Sequence, residues 1–293
     1  MARSWRDPKE STLAVFLLAP AFLLLALIVV YPVGRLIWTS FHELSLTSGL
    51  PRRFIGIENY LSLLDDPVFF TALWNTGLIV VTTVPGAMIV GLGLALVANM
   101  PFRVKWPVRL ALLIPWALPL AFVGTIAAWF FNSDYGLVND VLRPLRTQGV
   151  LWLTSPNLAF AAVCLTIVWK TSSFVALILL AGLQTIPQET LEAADVDGAG
   201  VWRKFWSVTL PMLRPSIVVA MIFRTITALQ TFDIPATMTR GGPGDATATL
   251  AMVIHQTTVD FLDLGYGSAL AVVMFVISMA ISTVYVRQIR RQA

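Results

Sequence analysis

The sequence predicts an all-α, polytopic membrane protein with six transmembrane helices, and three observations support this fold class. Hydrophobic residues make up 57% of the 293 residues and charged residues only 12%, with a mean hydropathy of +0.78, a composition typical of a chain surrounded by lipid. Six apolar stretches of membrane-spanning length follow one another. Lys and Arg concentrate on alternate connections between them, so the net charge of +4 does not indicate a nucleic-acid partner.

The first three apolar stretches cover residues 11–34, 67–102 and 110–133 and contain no Asp, Glu, Lys or Arg. Each is long enough for a helix that crosses a bilayer, which needs roughly 20 residues. The third stretch contains Pro115 and Pro119. Because proline removes a backbone hydrogen bond and crowds the preceding turn, we expect the third helix to be kinked.

The other three stretches cover residues 158–186, 216–236 and 264–286, and the fifth is the least hydrophobic of the six. The single cysteine, Cys164, lies within the fourth stretch. One cysteine excludes an intrachain disulfide and a thiolate metal site, so we expect Cys164 to be a small buried hydrophobic residue.

The distribution of basic residues predicts the orientation of the six helices. One set of connections and termini holds twelve Lys and Arg residues: Arg3, Arg6, Lys9, Arg103, Lys105, Arg109, Arg203, Lys204, Arg214, Arg287, Arg290 and Arg291. The alternate set holds five: Arg52, Arg53, Arg143, Arg146 and Arg240. Since cytoplasmic loops are enriched in basic residues, both termini and the connection between the fourth and fifth helices are predicted to be cytoplasmic.

That connection, residues 189–215, is the most polar long interval between two apolar stretches. In its first half, acidic residues follow Pro187 and the helical pattern breaks at Gly198, which predicts a short helix that ends at a glycine. In its second half, apolar residues recur at helical spacing until Pro211 and Pro215. We therefore predict two short helices that meet at a glycine hinge.

This connection resembles the EAA motif of permease subunits in binding-protein-dependent ABC importers. The resemblance is carried by Glu192-Ala193-Ala194, Gly198, Val208, Leu210 and Pro211. The resemblance runs from about residue 12 to the C-terminus and is greatest to the larger permease of the maltose and glycerol-phosphate class. It includes Gly241-Gly242-Pro243 in an outer loop and Asn75-Thr76 in the second span. It implies the type I ABC importer permease fold, with residues 1–293 forming one transmembrane domain and residues 187–211 its cytoplasmic coupling loop.

The resemblance also implies the partners of the chain. These are a second homologous permease, two ATP-binding subunits and an extracytoplasmic solute-binding protein, in a bacterial or archaeal cytoplasmic (inner) membrane. The residues expected to contact the ATPase are Glu192, Ala193, Ala194, Asp197, Gly198, Leu210 and Pro211. No Walker A pattern occurs in the sequence. We therefore expect ATP and Mg²⁺ on the separate ATPase, no cofactor in this chain, and transport rather than enzymatic activity.

Three ionisable residues fall within the fourth and fifth predicted spans: Lys170, Arg224 and Asp233. Charged groups are costly inside a membrane and usually face the interior of the helix bundle. Two interpretations remain open at this point. The residues line a polar path for the solute, or they form an ion pair that fixes helix packing, for example Lys170 with Asp233.

In the sugar-transporting members of the resembled family, these two helices build the solute site. The residues that the resemblance and the buried charges assign to it are Trp169, Lys170, Thr171, Phe174, Arg224, Thr227, Gln230, Thr231 and Asp233. Aromatic rings with hydroxyl and amide groups suit a polyhydroxylated ligand. Lys170 and Arg224 are less expected for a neutral sugar and leave an acidic sugar derivative or a phosphorylated polyol open.

Other functions are weighed against this one. A permease for an amino acid or an inorganic anion would share the fold and the EAA motif. A secondary carrier would explain six helices and buried charges but not the motif. A membrane-embedded enzyme would need a reactive cluster within the spans, where Asp233 is the only carboxylate. The sequence therefore favours an ATP-driven importer of a sugar or sugar derivative.

Overall fold

The computed structural model describes residues 8–100, 106–144 and 149–290, with the backbone alone at 8–11, 108, 286 and 288–290. The described residues confirm the all-α class. Five helices are long and apolar enough to cross a membrane, namely Thr12–Ser40, Pro67–Asn99, Pro156–Gln184, Val201–Leu229 and Leu264–Tyr285, and a bent pair supplies a sixth span if it crosses as one. Arg3, Arg6, Arg103, Lys105, Arg146 and Arg291 lie outside the described residues, and the orientation of the helices stays a prediction.

Backbone contacts divide the described residues into two compact units. The first, here called the terminal unit, contains the described residues up to Asp65 together with Ile254–Met274. The second, here called the membrane unit, contains Asp66–Val253 and the described residues from Phe275 onward. Helix α14, Leu264–Arg290, contributes residues to both.

In the terminal unit, α1 (Pro8–Leu25) continues through a π-helical turn, Ala26–Val30, into α2 (Tyr31–Ser40). A small hairpin follows, in which β1 (His42–Glu43) pairs antiparallel with β2 (Arg53–Phe54), and α3 (Glu58–Leu64) completes the segment. The buried Asn59 amide donates hydrogen bonds of 2.8 and 3.0 Å to the carbonyl oxygens of Ser40 and His42. Asn59 thus anchors the end of the first span to the polar connection that follows it.

In the membrane unit, α8 (Pro156–Gln184) is the central helix. In the apolar window of this span 61% of the residues are buried, against 33% for α4 (Pro67–Asn99). Small residues let the two helices approach closely: a Cβ atom added at Gly91 would lie 2.6 Å from the Val175 side chain. Cys164 is buried in a separate part of the core, among Ile79, Val163 and Ile167, as predicted.

The third predicted span is broken rather than only kinked. Helix α5 (Trp106–Ala117) and α6 (Leu120–Phe130) meet at 94°. Pro119 stands in extended conformation at the N-cap of α6, where it cannot donate the hydrogen bond that would continue α5. The predicted bend is confirmed. It is large because the helical backbone hydrogen bonds are completely interrupted at Leu118-Pro119. Helix α7 (Leu137–Leu142) lies in the connection that follows.

The prediction of a second short helix that ends at Pro211 was wrong. After α9 (Gln188–Val196), α10 (Val201–Lys204) runs through a π-helical turn, Phe205–Thr209, into α11 (Leu210–Leu229) as one span, Val201–Leu229. The N–H of Leu210 donates to the carbonyl of Phe205, five residues back. This wider turn directly precedes Pro211, where the missing N–H and the pyrrolidine ring would disturb regular α-helical bonding.

The predicted fifth span, residues 216–236, was therefore placed too far along the chain. Helix α11 ends at Leu229, and Asp233 begins a separate short helix, α12 (Asp233–Met238). Helix α13 (Leu250–His255) and a π-helical turn, Gln256–Asp260, precede α14. Residues 230–232 therefore form a bend at the end of α11, which is its outer end in the predicted orientation.

Candidate functional site

A cavity of about 510 Å³ lies in the membrane unit between the α5–α6 break, α8, α11 and the start of α12. Its lining combines aromatic rings, hydroxyl and amide groups and three ionisable side chains. The lining residues are Trp116, Leu118, Pro119, Leu120, Ile167, Lys170, Thr171, Phe174, Phe223, Arg224, Thr227, Gln230, Thr231, Phe232, Asp233 and Ile234.

Eight of the nine residues that the sequence analysis assigned to a solute path line this cavity. The ninth, Trp169, lies one position away from Lys170 on α8 and lines a different, apolar cavity of about 470 Å³ with Phe130, Phe131 and Leu165. Neighbouring residues on a helix point about 100° apart, which separates Trp169 from Lys170. That these residues bind a solute stays a prediction.

Lys170 caps the end of a helix and does not pair with Asp233. Its side chain is buried, and Nζ donates a 2.6 Å hydrogen bond to the carbonyl oxygen of Trp116. The last carbonyls of a helix lack intrahelical partners, and a cation is favourable there. None of the salt bridges between described residues involves Lys170, Arg224 or Asp233. The suggested Lys170–Asp233 ion pair was therefore wrong.

Arg224 is 2% exposed and its recorded partners are neutral. Its Nη2 donates to Thr83 Oγ1 at 2.8 Å, and its Nη1 donates to Thr227 Oγ1 at 3.2 Å. The buried Nε has no hydrogen-bond partner among the described residues. A buried guanidinium normally requires an anion or several acceptors. Arg224 thus presents a largely uncompensated charge at the wall of the cavity.

Three aromatic residues that were not predicted from the sequence line the same cavity, namely Trp116, Phe223 and Phe232. Trp116 stacks on Phe174, with ring centroids 6.2 Å apart and 14° between planes, and Phe174 meets Phe223 edge-on at 6.2 Å. Trp116 comes from the broken third span, whereas the predicted solute path contained residues of the fourth and fifth spans alone. The aromatic residue directly before the Ala117–Pro119 break is the signal that was available.

The coupling loop has a well-defined hinge. Gly198 adopts a φ of +72°, and Gly198 and Ala199 donate hydrogen bonds to the carbonyls of Asp195 and Ala194, which is the Schellman pattern of a helix C-terminus. A salt bridge between Lys204 Nζ and Asp195 Oδ1, 2.5 Å long, joins α10 to α9. The predicted glycine-terminated helix is confirmed.

Apolar side chains next to this hinge are exposed. Trp202 is 76% exposed, and Val196 and Val201 are also exposed. On α9, Glu192 and Ala193 are exposed, and the Glu192 carboxylate accepts a 2.9 Å hydrogen bond from Gln188 Nε2. Exposed apolar groups beside acidic residues indicate a contact surface. Leu210 and Pro211, assigned to the same surface by resemblance, lie in the first turn of α11 and are half-buried, and their contact with the ATPase stays a prediction.

The loop with Gly241-Gly242-Pro243 is fastened to α4 and to the cavity. Asn75 Nδ2 donates to the carbonyls of Asp245 and Ala248 at 2.8 and 3.0 Å. The backbone N–H of Leu250 donates to Thr76 Oγ1 at 2.9 Å, and Thr249 Oγ1 donates to the carbonyl of Thr231 at 2.7 Å. The loop therefore holds one of the residues that line the cavity.

An apolar helix bundle around a cavity that contains three ionisable side chains, with a hinged polar loop between two spans, is typical of a membrane transport subunit. Residues 87–293 match the family described as "Binding-protein-dependent transport system inner membrane component", and the chain belongs to this family. It is a multi-pass inner-membrane component of a transport system and not an enzyme.

Relatives match over nearly the whole chain. The sulfoquinovosyl glycerol transport system permease protein SmoG of Agrobacterium fabrum is 67% identical over 98% of this chain and 93% of its own length. The trehalose/maltose transport system permease protein MalF of Thermococcus litoralis is 36% identical over 95% and 94%. A bacterial ABC transporter that imports the acidic polysaccharide alginate superposes with a TM-score of 0.83 at 21% identity, over 98% of both chains. The fold is thus that of a type I ABC importer permease.

Proposed function

We propose that this chain is the permease subunit of an ATP-driven ABC importer for a sugar derivative that carries an anionic group. The single observation that carries the proposal is Arg224, a lining residue of the cavity whose buried guanidinium has an unpartnered Nε and donates hydrogen bonds to neutral hydroxyl groups. The relative that is 67% identical is named for sulfoquinovosyl glycerol, a glycoside whose sugar bears a sulfonate. A sulfonate is an anion of the kind that such a guanidinium binds.

The rest of the cavity suits a sugar. Stacked Trp116 and Phe174 offer apolar ring faces, and Thr171, Gln230 and Thr231 offer groups that donate and accept hydrogen bonds. Sugars have apolar ring faces and polar edges, so they match this combination. Both relatives described above are named for glycosides or disaccharides.

The charges of the cavity favour an anionic ligand over a neutral one. Lys170 and Arg224 are cationic and Asp233 is acidic, so one positive charge remains uncompensated if all three are ionised. An uncompensated charge within a membrane is costly. A bound sulfonate would offset this cost, whereas a neutral sugar would not.

The chain is proposed to work in an assembly with a second homologous permease, two ATP-binding subunits and a solute-binding protein. The family description, a binding-protein-dependent transport system, supports the solute-binding protein, and the resemblance to the EAA motif supports the other subunits. ATP and Mg²⁺ would bind to the ATPase. The surface around Gly198, with exposed Glu192, Ala193 and Trp202, would contact that subunit. The EAA loop and both termini would be cytoplasmic, with the whole chain acting as one transmembrane domain.

Transport would follow from a change between two states of the permease pair. Docking of the loaded binding protein and closure of the ATPases would favour the outward-facing state, and the coupling loops would transmit that motion. Helix α11 begins at the coupling loop and carries Arg224 and Thr227, so movement of the loop reaches the cavity along one continuous span.

Solute-stimulated ATP hydrolysis of the purified complex with its binding protein tests this function. The screen compares sulfoquinovosyl glycerol, its neutral analogue glucosyl glycerol, glycerol phosphate, trehalose and an amino acid. We expect the strongest stimulation from the sulfonated glycoside. Stimulation by the amino acid alone would overturn the solute class and leave the family assignment intact.

A further inference from the structure

We infer that Thr83, which is absent from the cavity lining, determines the charge selectivity of the solute site by holding the Arg224 guanidinium without neutralising it. The inference rests on the proposed function, because it concerns the same site. It assigns a specificity-determining role to a buried hydroxyl on α4, a helix that contributes no residue to the cavity wall. Thr83 is a positioning residue that acts through Arg224.

Thr83 is the closer of the two neutral tethers. Its Oγ1 lies 2.8 Å from Arg224 Nη2, whereas Thr227 Oγ1 lies 3.2 Å from Nη1. Thr83 is 0% exposed and Arg224 is 2% exposed, so water does not compete for this hydrogen bond. Thr227 lies on the same helix as Arg224, three residues later, and its hydroxyl also donates to backbone carbonyls of that helix. Thr83 is therefore the tether that fixes the guanidinium to a different helix.

The chemistry of the residue at position 83 decides what charge the cavity presents. A threonine hydroxyl accepts one hydrogen bond and leaves the positive charge available. A carboxylate at the same place would form a buried ion pair and use that charge internally. An aliphatic side chain of the same shape would leave Nη2 without its acceptor and the guanidinium less fixed. Anion selectivity thus depends on a neutral acceptor at position 83.

The test compares Thr83→Asp with Thr83→Asn, which has a similar shape and no charge. Half-saturating concentrations for ATPase stimulation are measured with sulfoquinovosyl glycerol and with glucosyl glycerol. For Thr83→Asp we expect the half-saturating concentration of the sulfonated solute to rise about tenfold or more. The aspartate would form a charge-assisted hydrogen bond with Arg224, which is about twice as strong as a neutral one and would compete with the sulfonate. The value for the neutral analogue should fall or stay constant. Thr83→Asn should remain within about threefold of wild type for both solutes.

Two further variants separate positioning from a structural role. Thr83→Ser keeps the hydrogen-bond acceptor and should retain the wild-type preference for the sulfonated solute. Thr83→Val should raise the half-saturating concentration of the sulfonated solute and leave that of the neutral analogue unchanged. Thr82→Val is the matched control on α4, since the Thr82 hydroxyl bonds to the Leu78 carbonyl at 2.7 Å and to Cys164 Sγ at 3.4 Å rather than to Arg224. Copurification of each variant with its partner subunits reports folding. Thr83→Val also keeps the test decisive if the aspartate variant does not assemble.

The outcomes distinguish this inference from the proposed function. If Arg224→Gln removes the preference for the sulfonated solute while Thr83→Asp and Thr83→Val retain it, the role of Thr83 is wrong and the proposed function stands. If Arg224→Gln itself keeps the preference for the sulfonated solute, the role of Arg224 is wrong; if the wild type shows no such preference, the anionic solute class is wrong. If Thr83→Val raised the half-saturating concentrations of both solutes equally, Thr83 would be a packing residue without a role in selectivity.

Discussion

Lys170 Nζ donates a 2.6 Å hydrogen bond to the carbonyl oxygen of Trp116, at the point where α5 ends. One residue therefore contributes both to the helix break and to the cavity, because Lys170 and Trp116 are also lining residues. The break at Leu118-Pro119 creates carbonyls without helical partners, and the cation satisfies one of them. Lys170 is thus needed for the shape of the cavity as well as for its charge.

Replacement of Lys170 by methionine should destabilise the complex. The Trp116 carbonyl would lose its donor, which costs about 1–3 kcal/mol for a buried polar group. Thermal unfolding of the detergent-solubilised complex, followed by the loss of the monodisperse species, measures the effect. Lys170→Arg, which keeps a charged donor, should unfold closer to the wild-type temperature. Equal stability of the methionine variant and wild type would contradict the capping role.

Gly198→Val should uncouple ATP hydrolysis from solute. At a φ of +72° a residue with a Cβ atom is strained by about 1–2 kcal/mol, and a β-branched one by more, so the hinge between α9 and α10 would change shape. Gly200→Val is the matched control, since Gly200 has an ordinary φ of −63° and open space around its Cα. The ratio of solute-stimulated to basal ATPase should fall in Gly198→Val alone. An unchanged ratio would remove the hinge from the coupling mechanism.

Gly91→Val should impair folding of the membrane unit. The new side chain would overlap Val175 and the Ser172 carbonyl where α4 packs on α8, and overpacking of this kind costs about 1–3 kcal/mol. Gly93→Val, on the same helix with open space around its Cα, should behave like wild type. The yield of monodisperse protein after purification and its unfolding temperature measure both variants. Similar values for the two variants would show that α4 and α8 do not pack this closely.

Asn75→Leu should weaken the response to the solute-binding protein, because the outer loop with Gly241-Gly242-Pro243 lies, by the predicted orientation, on the side of the membrane where that protein would dock. The variant loses both amide hydrogen bonds to the loop carbonyls of Asp245 and Ala248, or roughly 2 kcal/mol of loop anchoring. Thr71→Val on the same helix is the control, because the Thr71 hydroxyl donates only to its own helix, at Pro67. We expect the concentration of binding protein that gives half-maximal ATPase stimulation to rise severalfold in Asn75→Leu. No change would exclude this loop from docking.

Much of the fold could be predicted because lipid imposes long apolar stretches and few charges. The bend beside Pro119, the buried Cys164 and the helix end at Gly198 all follow from local chemistry, whereas Pro115 lies inside the continuous helix α5. The course of the chain through Pro211 could not be predicted, because a π-helical turn depends on backbone adjustments that leave no composition signal.

The site was predicted only in part for a related reason. Arg224 and Lys170 stand out in the sequence because charge within a span is unusual. Their hydrogen-bond partners do not stand out in the sequence. The partner of Arg224, Thr83, is one of several threonines on α4, and the partner of Lys170 is the backbone carbonyl of Trp116. Hydrogen bonds between distant helices depend on how the helices pack together, and the residue pattern along one helix does not predict that packing.

Uptake of labelled sulfoquinovosyl glycerol into proteoliposomes, with wild type and Arg224→Gln at concentrations below saturation, tests the central claim most directly. The buried guanidinium should supply about 1.5–3 kcal/mol to an anionic group, so the variant should take up roughly 10- to 100-fold less sulfonated solute. Its uptake of the neutral analogue should change little. Equal uptake of the sulfonated solute by wild type and Arg224→Gln would contradict the account.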